Sequence, residues 1–279
     1  MGTSRLHSAA LAAVFTLVCV TAAPATAAPN ADLWAIWQAS DESSDERIDH
    51  GTWQRLLDRY LAVADDGPNL FRYDAVSPAD RAALTAYLDG LAALDPRRLA
   101  RAEQLAYWIN LYNALTVQVV LDHPQADSIL AMGGGWFSRG PWNDDLVEIA
   151  GQPVTLNDIE HRILRPIWQD HHIHYAVNCA SFSCPDLAAE AYTRDNARRL
   201  MDAGEHSYLR HPRGLDFDPD GELRLSSIFE WYVEDFGGSR ESLLSYLADE
   251  RPDLADRLRN YRGGIDYHYD WSLNAAEPR

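Results

Sequence analysis

The chain contains no lysine: all 24 basic residues are arginine, and 42 acidic residues bring the formal net charge to −18. Without lysine there is no Schiff-base chemistry and no P-loop of the lysine-bearing kind. The acidic surplus offers few cations to displace phosphate counterions, so neither nucleic acid nor an anionic lipid surface is an expected partner. Beyond the first residues there is no apolar run of the roughly 20 residues needed to cross a bilayer. Cysteine is scarce as well: of 3 in the chain, Cys19 lies in the N-terminal apolar run, leaving Cys179 and Cys184.

That N-terminal run has the layout of a secretory signal. Arg5 is followed by an apolar stretch from Ala9 to Ala23 and by small residues at Ala25-Thr26-Ala27-Ala28, which suit signal peptidase. The expected organisation is a signal peptide over residues 1–28, an N-terminal helical extension over 29–101, and an α+β core domain over 102–279. The mature chain is expected in the periplasm or outside the cell.

Hydrophobic spacing predicts mostly helices. Ser77-Pro78-Ala79-Asp80 starts one of them, with serine as cap and proline in the first turn. A helix over about 98–121 reads LAYWINLYNALTVQVVL from Leu105 and is apolar on nearly every side, as a buried central helix would be. Asn110 and Asn113 lie on one face of it, where a buried amide without a partner costs about 1–3 kcal/mol. They are expected either to tie the helix to a neighbour or to serve a substrate. Gly133-Gly134-Gly135 with Arg139-Gly140-Pro141-Trp142 reads as a substrate-facing loop. A hairpin is expected around Gly151-Gln152, and a helix carrying Glu160 and His161 follows. Alternation predicts strands at 173–178 and 265–274, a helix over 187–209, and a hairpin around Asp218-Pro219-Asp220-Gly221. Ser227 and Glu230 form a capping-box pattern for a helix ending at Gly237-Gly238. The fold expected is a small, mostly antiparallel sheet packed around the central helix.

Reactive side chains concentrate in one stretch, IHYAVNCASFSCPD, from Ile173 to Asp186. Cys179 and Cys184 could form a disulfide, act in metal ligation, or include a thiolate nucleophile that needs a base and an oxyanion site. On a continuous strand, His174 and Cys179 would stand about 16–17 Å apart on opposite faces, which excludes His174 as the direct base. His161 and His268 are the alternatives. His268 shares its strand face with Asp266 and Asp270, either of which could orient the ring. Glu160 sits beside His161 but points about 100° away on a helix. Metal ligation would draw on His172 and His174, which share a strand face, with Asp170 or Cys179 completing the site.

Taken together, AYWINLYNAL (106–115), LNDIEHRILR (156–165), IHYAVNCASFSCP (173–185), LSSIFEWYVEDFG (225–237) and YDWSLN (269–274) resemble the domain-of-unknown-function family DUF547. Its motif positions here include Trp108, Asn110, Tyr112, Asn113, Glu160, His161, His174, Asn178, Cys179, Ser181, Cys184, Trp231, Asp235 and Asp270. The order of a long buried helix and later strands is also loosely similar to papain-like and transglutaminase-like thiol hydrolases. Those carry their cysteine at the start of the central helix, where this chain has Arg101 to Gln104.

The leading expectation is a thiol-dependent hydrolase or transferase for an amide or peptide-like substrate, with no cofactor and no bound metal. Cys179 attacks, His161, His174 or His268 with Glu160 or Asp270 assist, and Asn110, Asn113, Asn178 and Ser181 contact the substrate. The alternatives are a non-catalytic envelope module with a Cys179–Cys184 disulfide, and a metal-dependent hydrolase.

Overall fold

The computed structural model describes residues 29–64, 67–133 and 140–276. The expected signal peptide, and most of the expected glycine loop, lie outside them. Helices α1 (Gly51–Tyr60), α2 (Pro78–Ala92) and α3 (Arg101–Asp122) build the first half. Ser77 caps α2 by accepting the Asp80 amide. Short strands β1 (Leu61–Ala62) and β2 (Leu70–Phe71) pair antiparallel, as do β3 (Val147–Ile149) and β4 (Gln152–Val154).

The second half holds a helix from Asp158 that begins in π geometry and becomes α4 (Arg165–Trp168), then a single turn, α5 (Ile173–Ala176), and α6 (Ala197–Arg210). Strands β5 (Leu215–Phe217), β6 (Leu223–Ser226) and β7 (Ile265–His268) form one sheet, antiparallel between β5 and β6 and parallel between β6 and β7. Between β6 and β7 lie α7 (Ile228–Trp231), α8 (Arg240–Glu250) and α9 (Ala255–Arg259). The architecture is α+β with small sheets. No helix among the described residues is long and apolar enough to cross a membrane.

Two apolar cores lie side by side. The first is centred on α3, whose Tyr107, Trp108, Ile109, Leu111 and Ala114 are fully enclosed, and it includes Trp53 and Leu56 of α1 and Leu84 of α2. Each such side chain contributes about 1.5–3 kcal/mol over its exposed state. The N-terminal helices therefore share one core with the central helix. The second core gathers Leu223, Leu225, Phe229, Leu243 and Leu247 with Tyr175 and Tyr208. The stretch from Ile173 onward runs along the seam, with Ile173 and Ala176 in the first core and Tyr175 in the second.

Four local expectations give way here. Residues 173–176 are a helical turn, not a strand. Gln169 ends α4 in the left-handed region (φ 50°), and the Asp170 carboxylate accepts the His172 amide at 3.0 Å to start the next turn. The alternation read as a two-faced strand comes from histidines that are themselves buried, so neither side faces water. Helix α6 begins only at Ala197, because the Asn110 side chain of α3 binds the amide and carbonyl of Tyr192 at 3.0 and 2.8 Å and holds that backbone open. Ser227 makes no side-chain cap; the Ser226 hydroxyl accepts the Ile228 amide instead, at 3.3 Å. The regular ladder of the last strand stops at His268, and the chain continues as an extended strap bridging Ser128, Ser181 and Phe71.

Candidate functional site

The turn after α5 is held from beneath by asparagines. Asn113 of α3 donates to the Ala176 carbonyl at 2.9 Å and accepts the Asn178 amide at 2.8 Å. Asn178 in turn donates to the Pro185 carbonyl at 2.7 Å and accepts the Ala180 amide at 2.9 Å. From the other side the C-terminal strap binds the turn: Asn274 donates its amide to Ala180 at 2.9 Å, and Phe182 donates to Ser272 at 2.7 Å. Buried Ala180 is forced into the left-handed region at φ 61°, a conformation costing about 1–2 kcal/mol for a residue with a Cβ. Asn113 and Asn178 thus bond to backbone and clamp the turn, while Asn110 holds the backbone of Tyr192.

Cys179 stands at the apex of this turn, partly exposed, and both its sulfur and that of Cys184 are free. Its Sγ lies 3.2 Å from the Ser181 hydroxyl and 3.2 Å from the Tyr269 hydroxyl, which are themselves joined at 3.0 Å. The Cys179 amide donates to buried Cys184 Sγ at 2.9 Å. Burial by itself would raise the Cys179 pKa. Hydrogen bonds from Cys184, Ser181 and Tyr269 outweigh it and bring the value down to about 7. Burial and the adjacent sulfur push Cys184 well above its ordinary range. The loop carrying Cys184 is locked by buried Arg213, which donates to the Cys184 carbonyl at 2.9 Å and pairs with Asp186 at 2.6 Å.

No histidine is among the hydrogen-bonding neighbours of the Cys179 sulfur. His174 is buried in a separate cluster, its Nε2 bonded to Asp235 at 2.6 Å and its Nδ1 3.5 Å from Glu160. Asp235 also takes Arg165 Nε at 2.6 Å, and Arg165 approaches His161 Nδ1 at 3.0 Å. Tyr232 stacks on the His174 ring at a centroid distance of 4.4 Å, with the Arg165 guanidinium 4.6 Å from its own centroid. Glu160 would be raised by burial, but His161, His174 and Arg165 hold it at about 2. Burial lowers His161 to about 4 and opposes charge on His174, where Asp235 and Glu160 prevail and raise the pKa. Glu160 and His161 come only to 4.0 Å. The π turn, frequent at functional sites, carries Glu160 and His161, and Arg165 opens α4 directly after it.

His268 lies apart from both groups: its Nδ1 is buried without a partner, Asp266 pairs with Arg224 at 3.3 Å, and Asp270 accepts Ser272 at 2.6 Å. The carboxylate–histidine pairing expected on that strand is not made. The metal set also comes apart. His172 turns to Asp170 (2.5 Å) and Glu205 (3.2 Å), whereas His174 points to Asp235. Asp170, His171 and His172 do offer ligand atoms within 4.8 Å of one another, but Arg198 sits 3.1 Å from Asp170 and 3.3 Å from His172. Gly204 lets α6 approach α5, since a Cβ there would meet the Tyr175 carbonyl at 2.8 Å.

Tyr269, Arg165 and Tyr232 were not singled out as site residues from sequence. Tyr269 had a readable signal, because it lies on the aromatic face of the last strand and points toward whatever that face covers. Arg165 and Tyr232 had none.

Residues 96–209 match the family described as "Protein of unknown function, DUF547". The chain resembles that family over a stretch running from before α3 to the end of α6. It includes Glu160, His174, Cys179 and Cys184 but not Asp235 or Tyr269. No curated protein and no solved structure matches the chain, so the likeness to papain-like and transglutaminase-like folds gains no support.

Proposed function

We propose that this is an exported thiol-dependent hydrolase or transferase acting on an amide or peptide-like carbonyl, with Cys179 as nucleophile. The observation that carries the reading is the setting of Cys179: a partly exposed residue on a clamped turn, with Ser181, Tyr269 and Cys184 lowering the pKa of its thiol to about 7. A thiol with that pKa is about half ionised at neutral pH, so it needs no histidine to take its proton. Cys179 adds to the carbonyl carbon, and the Tyr269 and Ser181 hydroxyls, 3.2 Å from the sulfur, are the nearest donors for the oxyanion. The departing amine takes a proton relayed through the same hydroxyl pair; water or an acceptor amine then attacks the thioester carbonyl, its proton returns to the pair, and the Cys179 thiolate leaves.

The buried cluster of Glu160, Arg165, His174 and Asp235 acts as support for the turn. Export rests on the sequence of residues 1–28, and detection of the cleaved protein outside the cytoplasm tests it. The chemistry is tested with p-nitrophenyl acetate: an acyl adduct mapping to Cys179 and absent in Cys179→Ser is expected. An adduct elsewhere, or none at a pH where Cys179 is alkylated readily, overturns the acyl reading.

A further inference from the structure

We infer that Cys179 and Cys184 also form a reversible dithiol couple that carries out thiol–disulfide exchange on disulfide-bearing substrates, Cys179 attacking and Cys184 resolving. The inference rests on the reading of Cys179 as a nucleophile but not on acyl transfer. Its basis is the asymmetry of the pair. Cys179 is a partly exposed residue whose sulfur has two hydroxyl neighbours; Cys184 is buried, with four residues between them in one turn. Cys184 Sγ touches the Cys179 amide at 2.9 Å. Along that path the two Cα atoms lie about 7 Å apart at most, and any bend shortens this into the disulfide range of about 4.4–6.8 Å. The Val177 carbonyl, 3.8 Å from Cys184 Sγ, is an acceptor for the Cys184 proton in the resting state.

The steps balance. The Cys179 thiolate attacks one sulfur of a substrate disulfide, forming a mixed disulfide and releasing a thiolate. That thiolate takes the Cys184 proton, and the Cys184 sulfur then attacks Cys179 Sγ and expels a second thiolate, which takes from water the proton that Cys179 gave up on ionising. The substrate is reduced by two electrons and the protein is oxidised to Cys179–S–S–Cys184, which a dithiol reductant returns to the starting state. The pKa of about 7 suits Cys179 to the first attack, because an attacking thiol works best with a pKa near ambient pH; Cys184, held well above its ordinary range, attacks only after the departing thiolate has taken its proton.

Oxidised glutathione is the probe, with intact mass followed over time at pH 7. The wild type is expected to pass through a transient glutathione adduct and end two hydrogens lighter, releasing two glutathiones per chain. In Cys184→Ser and Cys184→Ala the adduct on Cys179 is expected to persist at least tenfold longer. A wild-type adduct as long-lived as that of the variants, or one mapping to Cys184, overturns the inference. If both variants fail to fold, the wild-type time course decides alone: formation of the internal disulfide supports the inference, and a stable adduct overturns it. Iodoacetamide separates the two readings. Rapid alkylation of Cys179 with no internal disulfide leaves the nucleophile standing and removes the couple, whereas absence of both removes the nucleophile itself.

Discussion

The thiol turn and the His174 cluster are both assembled from buried polar groups, and they differ in how fully charge is matched. Around His174 every ionic group has an opposite neighbour: Asp235 binds His174 and Arg165, and Glu160 faces both histidines. Such a cluster specifies shape, and it has little capacity left for a substrate. The Cys179 sulfur, by contrast, is held by neutral donors only, in a residue that is itself partly exposed. An anion stabilised that way retains its charge for chemistry. Stability therefore concentrates in one cluster and reactivity in the other.

Asp235→Ala is the strongest test of that division. It leaves Arg165 and His174 without their shared carboxylate, and a loss of about 3–5 kcal/mol is expected in urea unfolding. The pH midpoint of Cys179 alkylation should stay near 7; a shift of that midpoint would show that the two clusters act as one. Asn113→Ala removes both bonds from α3 to the turn. A loss of about 2–3 kcal/mol by the same measurement is expected, and here alkylation should slow, because the turn that presents Cys179 loosens.

A third test concerns His172. Burial opposes its charge, but Asp170 and Glu205 prevail and raise its pKa to about 9. The protonated form is thus favoured by folding. Its contribution is complete below the unfolded value of about 6.5 and is lost as pH rises toward about 9. Thermal scans should show a decline of about 1–2 kcal/mol across that window, flattened in His172→Gln. An unchanged slope in the variant would place the pH dependence in another group, with His174 the next candidate. The smallest effect is expected from Tyr269→Phe. Stability should change by about 1 kcal/mol or less, while the alkylation midpoint rises by about one pH unit. An unmoved midpoint would assign the thiol's activation to Ser181 and Cys184 alone.

Much of the fold was legible in the sequence because it depends on local rules. The cap at Ser77, the all-round apolarity of α3 and the turn signals at 151–152 and 218–221 act over a few residues each. The dense stretch around Cys179 was legible for the same reason, and so was the need of Asn110 and Asn113 for partners. The helical turn at 173–176 and the late start of α6 were not. In both places tertiary bonds decided the backbone, through His174 and Asp235 in one and Asn110 and Tyr192 in the other. The partners of the Cys179 sulfur, Ser181 and Tyr269, were not legible either, since periodicity tells which face a side chain is on but not which group stands opposite.

By itself, the sequence determined the chemical inventory: a lysine-free acidic chain, a buried helix with two asparagines, and two cysteines in one short stretch. Composition and spacing carry that information directly. Only the tertiary structure decided that Tyr269, 90 residues from Cys179, completes the thiol's surroundings while His174 is committed to Asp235 and Glu160. A hydrogen bond depends on separation in space, and the strap that closes over the turn has no local pattern announcing where it lands.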